Sequence, residues 1–391
     1  MIHHIFEFLK IVFVLAAIAS IFYYVLCMWS AAAFLREQKT AGKRVYPTPT
    51  LPGVCILKPL KGTDPEMYES FRSHCVQDYP EYDILFGLSE ADDPALEFVK
   101  RLKQEFPQHA IRMMVCEQNL EANIKVSNLA QMAREARYGV FVVSDSDIRV
   151  PPDYLRRVVA PLSDSNVGLV TCLYRGVASG TLGSRLESLG ISTDFIPGVL
   201  AARAIEGGIR FGLGSTLAFG RRDLQTIGGF ESFADYLADD YELGKQIAAL
   251  GKKVKISDVV VETFLPRYTM REFLTHQLRW ARTVRDARPW GYAGLGLTFG
   301  LPWALLAVAA ARGASWGWAL VIAVLAMRLG VTFAVGRKVL RDRQALAMFP
   351  LLPLRDIVAL LVWIVSFVGH NVAWRGDRFE LRKGKLTRVG R

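Results

Sequence analysis

The chain has 391 residues, 51% of them hydrophobic, a net charge of +11 and a mean hydropathy of +0.22, enough for one sizeable domain together with membrane segments. Its 48 Lys and Arg are dispersed and no nucleic-acid-binding motif accompanies them, which excludes nucleic acid and leaves anionic headgroups and a nucleotide diphosphate as partners. Five cysteines, odd in number and without CxxC spacing, exclude a disulfide or zinc framework and read as reduced, buried thiols.

Residues 11–35, IVFVLAAIASIFYYVLCMWSAAAFL, contain no charge and exceed the roughly 20 residues that one bilayer crossing needs. The run is too long for a signal-peptide core, and the leading MIHHIFEFLK lacks a basic cluster, so it reads as a retained anchor. Arg36, Lys39, Lys43 and Arg44 follow it, and the positive-inside rule then places the next domain in the cytoplasm.

From about residue 47 to 261, short apolar runs alternate with amphipathic stretches, the pattern of βα units and a largely parallel sheet. Strands are predicted at 54–57, 82–88, 111–115, 140–143 and 168–171, with helices over 65–76, 94–106 and 122–136. Ligands of open α/β sheets bind where strands end in loops. Lys58-Pro59-Leu60-Lys61-Gly62 follows the first strand and offers two cations and a glycine to a nucleotide. Asp92 and Asp93 follow the second, where they either cap the next helix or accept hydrogen bonds from a base and ribose. Lys125, near the start of the third helix, suits a phosphate.

Ser144-Asp145-Ser146-Asp147 ends the fourth strand with two carboxylates one residue apart, a pattern that converges on a divalent cation, Mg²⁺ or Mn²⁺, and through it on phosphate oxygens. Phe211 to Thr216, FGLGST, together with residues 194–202, is glycine-containing and apolar and reads as a lipid-facing region. Asp239 and Asp240 open a helix ended by Gly251; one acid can cap it while the other points outward as a base. In His276-Gln277-Leu278-Arg279-Trp280, Arg279 supplies a planar cation for a diphosphate or acceptor and Trp280 a flat wall for a sugar or lipid.

After Trp290 the chain is apolar again. Residues 294–311 and 316–335 are long enough to span, and a third stretch, 345–372, is interrupted by Pro350, Pro353, Arg355 and Asp356. If that stretch crosses, the tail 375–391 with its seven Lys and Arg lies outside, against the positive-inside rule; a re-entrant hairpin keeps it inside. The ionisable groups in these segments are Arg328, Arg355, Asp356 and His370, with no evident relay, which argues against a transporter. The organisation expected is an anchor (1–35), a cytoplasmic catalytic domain (36–290), membrane segments (291–374) and a basic tail (375–391).

Asp92-Asp93-Pro94-Ala95, Asp145-Ser146-Asp147-Ile148-Arg149-Val150, Tyr236-Leu237-Ala238-Asp239-Asp240-Tyr241 and Arg279-Trp280, in this order, resemble the signatures of the ceramide glucosyltransferases and their bacterial relatives, which include hopanoid-modifying glycosyltransferases. The resemblance covers nearly the whole chain. It implies an α/β GT-A fold with N- and C-terminal transmembrane helices at a bacterial inner membrane, a nucleotide-diphosphate sugar, a divalent metal and inversion at the anomeric carbon. Residue by residue, it implies Asp92 on the uridine, Asp145 and Asp147 on metal and diphosphate, Asp240 as base, and Arg279 with Trp280 closing the site. The family pattern has Gln or Arg three residues before Arg-Trp, where this chain has His276. The function expected is transfer of a hexose from a UDP-sugar, UDP-glucose, to the hydroxyl of ceramide. A hopanoid transferase using UDP-N-acetylglucosamine and a catalytically silent lipid-binding membrane protein are the alternatives.

Overall fold

The computed structural model describes residues 2–41, 51–120, 122–374 and 377–389; Lys43 and Arg44, part of the basic flank of the first apolar run, lie outside them. The chain folds as two compact units, one of residues 1–41, 178–205 and 267–378 and the other of residues 42–177, 206–266 and 379–391.

The second unit is built on an eight-stranded sheet. Its strands are β1 (Val54–Leu60), β2 (Tyr82–Leu88), β3 (Ile111–Val115), β4 (Val140–Val143), β5 (Ile148–Arg149), β6 (Val167–Val177), β7 (Leu217–Gly220) and β8 (Lys253–Phe264), in the order β3-β2-β1-β4-β7-β6-β8-β5. β1 is buried at every position, as a strand in a sheet covered on both faces should be, and it extends past the apolar run 54–57 to take in Lys58, which the sequence placed in the following loop. β3, β2, β1 and β4 are parallel, as the alternation of apolar runs and helices predicts. The other half is mixed: β7 runs antiparallel to β4 and β6, β6 pairs with β8 in parallel, and β5 pairs with β8 antiparallel. β5 and β7 are only two and four residues long, too short to carry a period, and β8 alternates buried with half-exposed positions. The core joins Leu57, Leu85, Phe141, Leu169, Phe219 and Phe233 with Leu243 and Ile247 of the helix Asp239–Ala249.

The first unit is helical. The helix Ile2–Ala41 contains a candidate span, Phe6–Thr40; Ser315–Val339 and Phe349–Ser366 are two more by length and composition. Pro289–Thr298 and Gly300–Ala310 form a pair bent by 52° that makes a fourth only if it is one broken span. Pro350 and Pro353 do not interrupt the last span. They fall in its first turns, where proline's missing N–H has no helical partner to lose.

Along the first helix, Phe22 and Trp29 are exposed while Ser20 and Tyr24 are buried and donate to Leu297 O (2.6 Å) and Thr298 O (2.7 Å). Polar groups thus find protein partners and the apolar faces are left for lipid. The ionisable groups of these segments are not scattered: Arg328 donates to Asp194 (2.8 Å), Asp356 (2.5 Å) and Thr193 O (2.8 Å), and Arg355 donates to Asp194 (3.0 Å) and Gln277 (2.9 Å).

Candidate active site

In the sheet unit, the acids singled out from sequence gather beyond the ends of β1 and β4. Asn123 makes this possible locally. Its side chain accepts a hydrogen bond from Val126 N (3.2 Å) and so caps the helix Ile124–Glu135, placing Lys125 in the first turn. From there the Lys125 ammonium bridges Asp145 Oδ1 (2.8 Å) and Asp239 Oδ2 (3.2 Å). Burial opposes its charge, but Asp145 and Asp239 outweigh that and hold it well above the usual lysine value.

Lys58 has the opposite environment. It is fully buried, donates to Asp145 O (2.8 Å) and Ser144 Oγ (3.4 Å), and burial pulls its pKa down to about 7 against the pull of Asp145 and Asp147. Both lysines therefore serve protein groups: Lys58 supports the backbone of the Asp-Ser-Asp turn and Lys125 ties that turn to Asp239. Sequence reasoning offered both to a nucleotide.

Asp147 accepts a short hydrogen bond from Thr263 Oγ1 at the end of β8, and Ser146 Oγ donates another to Asp64. Burial and the neighbouring Asp145 charge raise Asp147 to about 6. Neither Thr263 nor Asp64 was singled out from sequence, because each is brought to the turn by a separate strand or loop and belongs to no local motif.

Asp239 is raised by burial and by Asp145 against the pull of Lys125; Asp240 is raised to about 6 by burial and then by Asp239. The FGLGST segment, expected to face lipid, packs against this pair. Gly212 N donates to Asp240 O (3.1 Å), and a Cβ on Gly244 would lie 2.4 Å from Gly212 N. A Cβ on Gly214 would lie 3.3 Å from Asp240 Oδ2 and 3.4 Å from Asp145 Oδ2, so both carboxylates border the space that a side chain at this position would fill. The glycines serve close approach to Asp240.

Asp92 is exposed after β2. Its neighbour Asp93 is the structural acid: it accepts from Ala95 N (2.8 Å) at the helix start and from Gly62 N (2.9 Å), joining the loops after β1 and β2. Asp145, Asp147, Asp239, Asp240, Lys58 and Lys125 are thus brought together, with Asp92 on a neighbouring loop.

Arg279 and Trp280 belong to the helical unit, half-buried on the helix Met270–Ala287, which a Thr269–Glu272 capping box starts. Trp280 packs against Phe195 and His276. His276 approaches Glu187 (3.1 Å), and Gln277 is the residue that binds Arg355. Both positions of the variant motif are occupied in holding the helical unit together.

The donor set suits a divalent cation. Among the described residues no group of three His, Cys, Asp or Glu side chains forms a metal site by itself. Two oxygen ligands one residue apart are nevertheless what Mg²⁺ or Mn²⁺ takes from a protein when substrate phosphates complete the shell. With four acids facing two lysines, the cluster is also short of positive charge.

Comparison with known proteins bears on the family and the fold. The chain is 28% identical over 269 residues to ceramide glucosyltransferase 1 of Caenorhabditis elegans, covering 68% of this chain and 57% of that protein. It is 26% identical over 275 residues to ceramide glucosyltransferase 3 of the same organism, covering 70% and 60%. The chain therefore spans less than two thirds of the length of the curated relatives it matches. A mannosyltransferase from Pyrobaculum calidifontis, solved in complex with GDP-Man and Mn²⁺, shares the fold at a TM-score of 0.51 and 18% identity, over 90% of this chain and 99% of that one. The mixed sheet with its helices is the GT-A fold that the motifs led one to expect. The family model described as "Glycosyl transferase family 21" matches residues 12–387, and the chain belongs to that family.

Proposed function

We propose that the chain is an inverting, membrane-bound glycosyltransferase that moves glucose from UDP-glucose to the hydroxyl of ceramide. The observation that carries this reading is that Asp240 and Asp145 of the Asp-Ser-Asp turn both border the space left open at Gly214, in a chain whose relatives are ceramide glucosyltransferases. Asp240, at about 6, is ionised at neutral pH and yet basic enough to take a proton, the balance that general-base catalysis favours. It removes the acceptor hydroxyl proton as that oxygen attacks the anomeric carbon and UDP departs from the opposite face.

Asp145 and Asp147 are the groups that would hold Mg²⁺ or Mn²⁺, which when bound supplies Lewis-acid stabilisation of the diphosphate. Lys125 holds Asp145 and Asp239 in register, Asp239 orients Asp240, Asp92 contacts the uridine, and Arg279 with Trp280 serves diphosphate and acceptor. Incubating membranes that contain the protein with labelled UDP-glucose, UDP-galactose and UDP-N-acetylglucosamine tests the reading. Label is expected in glucosylceramide, lost on chelation and restored by Mg²⁺ or Mn²⁺. Label in another lipid, or full transfer after exhaustive chelation, overturns it.

For topology we propose a cytoplasmic sheet unit, with residues 36–290 supplying the catalytic groups and residues 375–391 returning to the same side. Residues 379–389 fold into the same unit as the sheet, which supports a tail on the same side as that unit. Two crossings, Ser315–Val339 and Phe349–Ser366, with the bent pair Pro289–Ala310 as a re-entrant segment, are the arrangement that accords with a basic tail inside. An impermeant thiol reagent added to intact cells should leave a Thr387→Cys variant unlabelled; ready labelling reverses the assignment.

A further inference from the structure

The segment 234–238, which delivers Asp239 and Asp240, is a turn and a bridge rather than a helix or strand, so its conformation is set by whatever touches it. It is held from two sides. On one, Asn123 N donates to Ala234 O (2.9 Å) and Asn123 Nδ2 to Tyr236 O (2.7 Å), from the residue that caps the helix carrying Lys125. On the other stands a hairpin near the C-terminus, Asp377–Arg382 and Lys385–Arg388, paired from Phe379–Arg388 to Arg382–Lys385. Lys383 and Gly384, at φ 50° and 80°, form a two-residue turn with both φ positive, the turn whose twist matches paired strands.

Phe379, Leu381 and Leu386 bury one face of the hairpin. Its turn bonds the acidic loop as a short extra strand would. Leu237 N donates to Gly384 O (3.1 Å), Leu386 N donates to Asp235 O (2.7 Å), and Tyr236 bridges Lys385 antiparallel. The Lys385 ammonium lies 5.3 Å from the Tyr236 ring centre and 3.6 Å from Asp235, and a Cβ on Gly384 would come within 3.1 Å of Tyr236 Cδ1.

We infer that the C-terminal hairpin, through Gly384 and Lys385, is a positioning element for Asp239 and Asp240: it fixes the loop that aims the base. The inference rests on the proposed role of Asp240. It gives the basic tail a part in turnover that its charge alone does not suggest.

The test uses the full-length protein. Gly384→Val breaks the turn and presses on Tyr236, and is expected to lower kcat roughly 10–100-fold, the scale of a catalytic group displaced by about 1 Å, while donor KM stays within about twofold. Lys385→Ala, which removes side-chain contacts alone, should lower kcat by a few-fold with the pH profile shifted. Thr387→Ala, exposed on the same hairpin, should match the wild type. A merely structural hairpin would lower the melting temperature and the number of UDP-binding sites but leave kcat per site unchanged, and that result in both Gly384→Val and Lys385→Ala overturns the inference. If the wild type transfers sugar from no donor, the functional proposal fails separately. Amide hydrogen exchange over residues 234–241 then decides the clamp, with faster exchange expected in either hairpin variant and unchanged exchange in both disproving it.

Discussion

The two clusters of ionisable side chains differ in their balance of charge. In the helical unit, Asp194 and Asp356 meet Arg328 and Arg355 two against two, through three ion pairs at 2.5–3.0 Å. In the sheet unit, Asp145, Asp147, Asp239 and Asp240 meet Lys125 and a buried Lys58 held near 7. A charge-balanced network between helices spends most of its hydrogen bonds on the fold, with Arg328 Nε and Asp356 Oδ2 left buried and unbonded. A cluster with surplus acid, part of it open to solvent, has charge left for a ligand. Charged residues in a membrane segment and charged residues at a strand end are equally conspicuous in sequence, and the count of partners separates them.

The sharpest way to break this contrast is to neutralise one acid of the unbalanced cluster. Asp240→Asn should lower transfer by roughly 10²–10⁴-fold while leaving UDP-glucose binding and thermal stability near wild type. Asp239→Asn should lose less, because Asp239 meets Lys125 and acts through its neighbour. Steady-state UDP release together with donor titration measures both. If Asp239→Asn is the dead enzyme and Asp240→Asn is active, the two roles are exchanged.

The balanced cluster should respond in stability instead. Arg328→Met leaves Asp356 without the arginine at 2.5 Å and should cost on the order of 3–5 kcal/mol, as loss of one partner of a buried pair does. Adding Asp356→Leu should recover most of that loss, and kcat per folded molecule should stay near wild type in both. Thermal unfolding in detergent with parallel kinetics reads the two effects apart; a double variant less stable than the single one would refute the structural assignment.

Acidity sharpens the comparison with a smaller effect. Asp240 is raised from the usual 3.8 to about 6, so the folded protein holds its proton more tightly than the unfolded chain does. As pH falls from 7 through 6, this group adds to stability while the ionised base disappears. kcat/KM, which reports the free enzyme, should therefore drop by half near pH 6 and about tenfold for each unit below, with no loss of melting temperature from this residue. A flat kcat/KM between pH 7 and 5 would remove Asp240 from the chemistry.

The left half of the sheet was legible because β1 to β4 are apolar runs separated by helices of ordinary length, and period and punctuation survive there without help from distant chain. In the right half only β6 was, through the strand predicted at 168–171. β5 and β7 are set by pairing with β8, β4 and β6, and their few residues carry no signal of their own. The acids themselves could be named from spacing, since Asp-Ser-Asp after a strand and Asp-Asp before a helix are local patterns. The partners that give each acid its character were out of reach: Thr263 for Asp147, Gly214 beside Asp145 and Asp240, and the hairpin turn under Tyr236.

What the sequence by itself determined is therefore the inventory: apolar segments long enough to span, a sheet domain between them, and two pairs of carboxylates at element ends, all properties of residues within a few positions of one another. Only the tertiary structure decided what each charge does. Lys58, within β1, and Lys125, in the first turn of a helix, both lie beside the same Asp-Ser-Asp turn, yet burial lowers one to about 7 while two carboxylates raise the other, and no local pattern distinguishes them. The physical reason is that desolvation and Coulomb interaction act through space, over contacts between residues as far apart in the chain as Lys125 and Asp239 or Tyr236 and Lys385, which become neighbours when the chain folds.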